Sequence, residues 1–167
     1  EIKNFAILVP NHGNLSSEKK IIEKYTGEAS IMLFNLKKFK KIGYFDEKYF
    51  LYFEEQDLFY QCRKNNLKVY FIPHLKIKHL RASSVSKDLK NIINLRTWHY
   101  MWSMFYFYRK NFNYFVAVKK TLFLLIKDFA MLFLFLTIFN MKNAKLRFYR
   151  IYGLISSIFG FKSFFRL

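Results

Sequence analysis

The segment Gly43-Tyr44-Phe45-Asp46-Glu47-Lys48-Tyr49-Phe50-Leu51-Tyr52-Phe53-Glu54-Glu55-Gln56-Asp57-Leu58 places three carboxylates within four residues, directly after an aromatic run. Carboxylates beside apolar rings are costly unless they are paired, hydrogen-bonded or bound to a metal. The chain of 167 residues has only 11 acidic side chains against 29 basic ones, so this acidic cluster indicates a site. The alternative is that Glu54, Glu55 and Asp57 simply open a helix, where negative charge suits the macrodipole.

The pattern around the acidic cluster predicts a mixed α/β region. Residues 54–65 read as a helix whose buried stripe is Leu58, Phe59 and Cys62. Strands are predicted in four apolar or alternating runs, at residues 5–10, 29–35, 67–72 and 75–79. Pro73 is expected to break the chain between the last two of these strands. The remaining segments are predicted as a loop or short helix at residues 17–25 and a short basic helix at residues 36–42 with Gly43 as its C-cap.

The second half of the chain changes to a helical period. Residues 88–108 predict one long helix, in which Trp98 and Trp102 lie on one face as core or interfacial anchors. Residues 115–139 are the most hydrophobic stretch, but charged side chains leave only 11 residues uninterrupted, against the roughly 20 that a spanning helix needs. We therefore expect this stretch to lie in or against a membrane, or to form a buried hairpin. In the basic, aromatic tail that follows, Gly153 and Gly160 are expected to be weak points.

Charge and composition favour an anionic lipid surface as a partner. Residues 1–80 carry 14 basic and 9 acidic side chains, a balance of +5, whereas residues 81–167 carry 15 and 2, a balance of +13. A surface that is basic, aromatic and apolar suits anionic lipid. Charge alone also fits nucleic acid, but the long apolar runs favour lipid. The single cysteine, Cys62, excludes an internal disulfide and a cysteine-based zinc site, and fits a cytoplasmic environment.

Several motifs in one order resemble the late part of a family 2 glycosyltransferase, and most closely its bacterial rhamnosyltransferase-like members. These enzymes have a Gly-Gly-Phe-Asp-Glu turn, an aromatic run and then Glu-Asp-x-Asp-Leu, which residues 41–58 of this chain resemble. A strand with a Val-Pro step and a His before a Ser-containing loop follow in the family. The corresponding residues here are Phe71-Ile72-Pro73 and His79-Leu80-Arg81-Ala82-Ser83-Ser84. The likeness extends from about residue 25 to residue 110.

The resemblance implies a fold and a domain organisation. It implies an α/β fold in which residues 1–86 form the C-terminal, acceptor-side part of a GT-A (Rossmann-like) catalytic domain. Residues 87–167 would be an α-helical, basic and aromatic region associated with the membrane. The family binds its nucleotide through an Asp-x-Asp motif in a preceding half, and this chain contains neither that motif nor a Gly-rich phosphate loop. We therefore expect the chain alone to be inactive and to bind nucleotide-sugar weakly.

The resemblance also implies roles for the acidic residues. The general base would be Glu55, which takes the proton from an acceptor hydroxyl. The family usually has Asp at this position, and the longer side chain of Glu leaves the choice between Glu54 and Glu55 open. Asp57 would either bind the acceptor or hold the loop, and Asp46 and Glu47 are further candidates for acceptor binding.

Metal and phosphate contacts are implied for the loop after the last predicted strand. In some members a His at the position of His79 binds the divalent metal, Mg or Mn, that accompanies the nucleotide diphosphate. The alternative is a half-buried histidine on the strand face of Leu75 and Ile77. Ser83 and Ser84 are candidates for contacting the donor phosphate.

The function implied is an inverting transfer of a sugar such as rhamnose from a nucleotide-diphosphate sugar to a glycan or lipid-linked acceptor. Such enzymes work in cell-surface polysaccharide synthesis, and this one would be peripheral to the cytoplasmic face of a bacterial inner membrane. Nucleic acid is not an expected partner. The alternative function is a non-catalytic basic membrane-binding module whose acidic cluster only caps a helix.

Overall fold

The computed structural model describes residues 4–11, 20–27, 31–40, 42–77 and 92–166. Nine helices and strands lie in these ranges, in the order β1 Phe5–Asn11, β2 Ile22–Glu23, β3 Leu33–Phe34, α1 Leu36–Phe39, α2 Glu54–Lys64, β4 Lys68–Lys76, α3 Ile92–Asn111, α4 Tyr114–Thr137 and α5 Met141–Ile158. The chain divides into two compact units, a sheet unit of Glu1–Asp46 with Glu54–Val85 and a helical unit of Glu47–Phe53 with Ser86–Leu167. The mixed α/β class that the sequence predicts is confirmed. Residues 47–53, which the sequence analysis placed in the first domain, group with the helical unit.

The sheet unit is an open four-stranded sheet with the order β2-β4-β1-β3. Strands β1 and β4 are parallel, and the other two pairs are antiparallel. Between β1 and β4 the chain passes through α2, because parallel neighbours need a crossover connection. The predicted stripe of Leu58, Phe59 and Cys62 is fully buried, and it belongs to one core with Ile7 and Val9 of β1. Helix α2 is thus anchored through its apolar face, which leaves its acidic first turn to define a site.

The predicted break at Pro73 is wrong, because Lys68–Lys76 forms one continuous strand. Pairing with β1 runs from Lys68 to Ile72, and the next pair joins Asn11 to Lys76, so the register shifts between them. Pro73 lies inside this irregularity. Proline has no backbone N–H to donate to a neighbouring strand, and such irregularities are where a strand tolerates it. Two further segments differ: residues 22–23, predicted as loop or helix, form a short strand, and α1 ends at Phe39 rather than residue 42.

The helical unit packs α3, α4 and α5 around an aromatic core. Trp98 and Trp102 are 0% and 3% exposed, and their rings stack 6.5 Å apart, so the predicted core placement is confirmed. Gly153 was expected to be a weak point, and this prediction is wrong. It is buried inside α5, where a Cβ atom would lie 2.2 Å from the backbone oxygen of Trp98. Glycine therefore allows the close approach of α3 and α5.

Helix α4 contains most of the hydrophobic stretch and has 24 residues, about 36 Å at the rise of an α-helix. Among the described residues, none of the helices combines the length and the apolar character needed to cross a bilayer.

Candidate functional sites

The acidic cluster lies at the start of α2. The helix begins at Glu54, so Glu54, Glu55 and Asp57 all fall in its first turn, while Arg63 and Lys64 fall in its last. Both sets complement the helix dipole, as the capping interpretation requires. Capping alone, however, requires only exposed charge near the N-terminus. The burial and the partners of each carboxylate therefore decide whether the cluster does more.

The backbone directly before the cluster is strained. Tyr52 and Phe53 have φ angles of +67° and +68°, in the left-handed region that large side chains rarely adopt. Each such residue costs on the order of 1–3 kcal/mol, and such strain is concentrated at functional sites. These two strained residues directly precede Glu54 in the chain.

Glu54 combines a buried, unpartnered carboxylate oxygen with a raised pKa. Its Oε2 atom is buried and has no hydrogen-bond partner among the described residues. Burial raises the pKa of the Glu54 carboxyl above its ordinary value of 4.5, and an interaction with its own backbone N–H offsets this only in part. A carboxylate with a raised pKa and a vacant acceptor atom is a better proton acceptor near neutral pH than an exposed one.

The other acidic residues of the cluster are in different environments. Glu55 is half-buried, and Asp57 is only 3% exposed; both interact with other groups of the protein. The burial of Asp57 favours the loop-holding role over contact with an acceptor. Among the other acceptor-binding candidates, Asp46 is half-buried in the sheet unit with a partner of its own, whereas Glu47 is exposed in the helical unit.

No metal centre is assembled by the part of the chain that the structure describes. Within those ranges no three side chains of His, Cys, Asp or Glu lie close enough together to hold an ion. His79, Ser83 and Ser84, the candidates for metal and phosphate, lie outside the described residues. Burial also raises the pKa of the Cys62 thiol to about 12, which makes it a poor thiolate ligand. The described residues therefore do not fit the divalent metal that the resemblance implies.

A second candidate site is the outer surface of the helical unit, where α4 exposes large apolar side chains. The fully buried residues of α4 are small or polar, namely Ala117, Thr121 and Asp128, and its partly buried Val118, Leu124 and Leu125 pack against the core of the bundle. The large side chains of Phe115, Phe123 and Phe133 are 83%, 72% and 72% exposed. Large apolar side chains exposed together on one helix are typical of a surface that meets an apolar partner, such as a lipid or another protein.

An ion-pair cluster joins α4 to α5 beneath this surface. The carboxylate of Asp128 is 1% exposed and accepts hydrogen bonds from Arg147 Nη1 at 2.8 Å and Arg150 Nε at 2.7 Å. A buried carboxylate is stable only with such partners. Asp128, which reads in the sequence as an interruption of a hydrophobic stretch, therefore holds the two helices together.

A histidine that the sequence did not single out holds the C-terminal segment. His99 is fully buried; its Nε2 lies 2.8 Å from the carbonyl oxygen of Phe165, and its Nδ1 lies 3.0 Å from Ser163 Oγ. Burial lowers the pKa of His99, so the ring is neutral near pH 7. Because a carbonyl only accepts, Nε2 carries the proton and Nδ1 accepts from the serine hydroxyl. No sequence signal pointed to this pair, since its members are 64 residues apart.

No family model, curated protein or solved structure matches this chain. The geometry of the two candidate sites therefore stands beside the motif resemblance without support from a relative.

Proposed function

We propose that the chain is the acceptor-side part of an inverting family 2 glycosyltransferase of the GT-A fold. The observation that carries the proposal is the carboxylate of Glu54, with its raised pKa and unpartnered buried oxygen, directly after two strained residues. The ordered motifs from residue 41 to residue 84 give this carboxylate its context. A helix cap alone accounts for neither the burial nor the strain.

The proposed reaction is a single displacement. The hydroxyl oxygen of the acceptor attacks the anomeric carbon of a nucleotide-diphosphate sugar, and the bond from that carbon to the diphosphate oxygen breaks. The proton of the hydroxyl passes to a carboxylate at the start of α2. The resemblance assigns this role to Glu55, whereas burial and the raised pKa favour Glu54. Asp57 holds the first turn of α2 from within the core.

The donor side of the site is supplied from outside the described residues. The Mg or Mn ion that accompanies the donor diphosphate needs a set of ligands, and the described residues contain no group of three His, Cys, Asp or Glu side chains that could hold it. The sugar, such as rhamnose, and the glycan or lipid-linked acceptor follow from the resemblance to enzymes of cell-surface polysaccharide synthesis.

The exposed apolar surface of α4 supports a membrane location for this activity. A peripheral position on the cytoplasmic face of a bacterial inner membrane would cover the exposed phenylalanines of α4. The balance of +13 in residues 81–167 matches an anionic leaflet. This surface equally favours the alternative, a non-catalytic membrane-binding module, so membrane binding by itself does not establish the enzyme.

Transfer of labelled sugar from a panel of nucleotide-diphosphate sugars tests the enzymatic proposal. Membranes containing the complete gene product should give labelled glycan or glycolipid with at least one donor, and the product should be inverted at the anomeric carbon. Membrane binding with no transfer from any donor, in membranes that hold the acceptor lipids, would favour the non-catalytic module.

Vesicle binding tests the membrane part of the proposal. Replacing Phe115, Phe123 and Phe133 together by serine should weaken binding to anionic vesicles by about 100-fold, because each buried phenyl ring contributes on the order of 1 kcal/mol or more. The matched control replaces Leu33 and Leu36 of the sheet unit, which are 60% and 62% exposed, by serine. Equal losses in the two variants would contradict a specific role for α4.

A further inference from the structure

A basic cavity of about 680 Å³ lies within the helical unit. Its walls come from three places: the segment after residue 46, the middle of α3, and the end of α5 with the segment that follows it. All of these belong to one unit, so the cavity does not depend on the sheet unit. None of the carboxylates of α2 lines the cavity, so its lining residues are distinct from the acidic cluster.

The lining carries a strong positive charge. It includes four cationic side chains, those of Lys48, Arg109, Lys162 and Arg166, against the single carboxylate of Glu47, a balance of +3 among the described residues. Within the described ranges, Arg109, Lys162 and Arg166 form no ion pair with a carboxylate. An excess of cations around a cavity favours an anionic ligand.

Arg166 is held in place before any ligand binds. Its guanidinium lies 3.7 Å from the ring centroid of Phe50. Its Nη1 donates to the carbonyl oxygens of Ser163 and Phe165, at 2.9 and 2.8 Å. These hydrogen bonds all use one nitrogen, so the Nε and Nη2 edge retains donors for a ligand. A preorganised guanidinium fork matches phosphate oxygens and loses little entropy on binding them.

Arg109 lines the same cavity and lies beside Gly160. Gly160 has a φ of +78°, and a Cβ atom there would lie 3.4 Å from Arg109 Nη1. A side chain at this position would therefore be strained by the backbone and would contact the guanidinium. Aromatic rings complete the wall: Trp102 and Tyr106 stack 5.1 Å apart, and Lys48 Nζ lies 5.9 Å from the Tyr106 ring centroid. The cavity thus combines phosphate-type donors with an apolar wall.

We infer that this cavity binds the phosphate or diphosphate group of an anionic ligand, with Arg109 and Arg166 as its principal contacts. Two arginines and two lysines suit a ligand with two or more negative charges better than a single carboxylate. The phosphate group can come from a lipid headgroup at the membrane surface or from a soluble diphosphate. The inference rests on the helical unit alone and holds whether or not α2 carries a catalytic base.

Calorimetry with inorganic pyrophosphate tests the inference on the full chain. We expect saturable binding that weakens with salt, and about tenfold weaker binding for Arg109→Gln and for Arg166→Gln. The control is Arg96→Gln, which removes an exposed arginine of the same unit that donates to Tyr52 Oη and does not line the cavity. Glu47→Gln, which removes the carboxylate of the lining, should tighten binding.

Vesicles distinguish the two sources of phosphate. Binding to phosphatidic acid above binding to phosphatidylglycerol at equal surface charge, with loss of that excess in Arg109→Gln, indicates a lipid headgroup. Pyrophosphate binding without this excess indicates a soluble diphosphate. Arg166 also holds the C-terminal segment, so Arg109→Gln is the decisive variant if Arg166→Gln lowers the melting temperature. Binding to neither probe, or equal losses in Arg109→Gln and Arg96→Gln, would overturn the inference.

Discussion

Glu54→Gln and Glu55→Gln are expected to separate the general base from its neighbour in the complete gene product. The variant that lacks the base should lose about 10²–10⁴-fold in sugar transfer, the range that general-base catalysis contributes. Glutamine keeps the size of the side chain and removes only the proton acceptor. The variant of the neighbouring residue should keep most of its activity.

Stability measurements on the same variants show whether a loss of transfer is chemical. Glu54→Gln should raise the free energy of unfolding near neutral pH by about 1 kcal/mol, because an amide is less costly to bury than a carboxylate with one unpartnered oxygen. Glu23→Gln is the matched control, since this exposed carboxylate pairs with Lys68 on the surface of the sheet unit. It should leave transfer unchanged. If Glu54→Gln and Glu55→Gln both transfer sugar at the wild-type rate, the acidic cluster acts only as a helix cap.

Asp128→Asn should destabilise the helical unit by about 3 kcal/mol, because removing one member of a buried ion-pair cluster leaves its partners uncompensated. The two partners are Arg147 and Arg150, and Arg147 Nε is already buried without a hydrogen-bond acceptor among the described residues. For a chain of this size, such a loss lowers the melting temperature by roughly 10 °C. Thermal unfolding followed by circular dichroism measures it.

Two further variants identify the cause of that loss. Lys127→Gln changes the neighbouring, exposed residue of α4 and should change the free energy of unfolding by less than about 0.5 kcal/mol. Replacing Asp128, Arg147 and Arg150 together by Leu and Met should recover much of the stability, because an apolar set has no charge left to compensate. An Asp128→Asn variant as stable as Lys127→Gln would show that the cluster contributes nothing.

The elements that could be predicted from sequence are those set by local periodicity. Helix α2 was predicted to within one residue, because Leu58, Phe59 and Cys62 repeat at helical spacing and acids and bases occupy opposite ends. Strand β1 was also predicted from a local pattern, because it is a short apolar run. The burial of Trp98 and Trp102 followed from their spacing of four residues.

The features that the sequence could not predict depend on partners distant along the chain. Pro73 remains inside β4 because the pairing with β1 shifts register there. The packing role of Gly153 depends on the backbone of Trp98, 55 positions earlier. Asp128 reads as an interruption until its partners on α5 are known, 19 and 22 residues later.

The candidate sites also differ in how far the sequence could predict them. The acidic cluster was evident as three acids in a basic chain, but the burial and raised pKa of Glu54 depend on how α2 packs. The basic cavity had no sequence signal, because its cations are spread from Lys48 to Arg166 and each reads locally as surface charge. These cationic side chains come together only in the folded protein.

The pH dependence of kcat/KM for sugar transfer tests the central claim, a general base at the start of α2, most directly. A base whose pKa is raised must be deprotonated to act, so activity should fall as pH decreases, with a midpoint above the 4.5 of an ordinary glutamate. The account predicts that this acidic limb is present in the wild type and in Glu23→Gln, and disappears from the residual activity of Glu54→Gln or Glu55→Gln. An identical limb in all four proteins would contradict it.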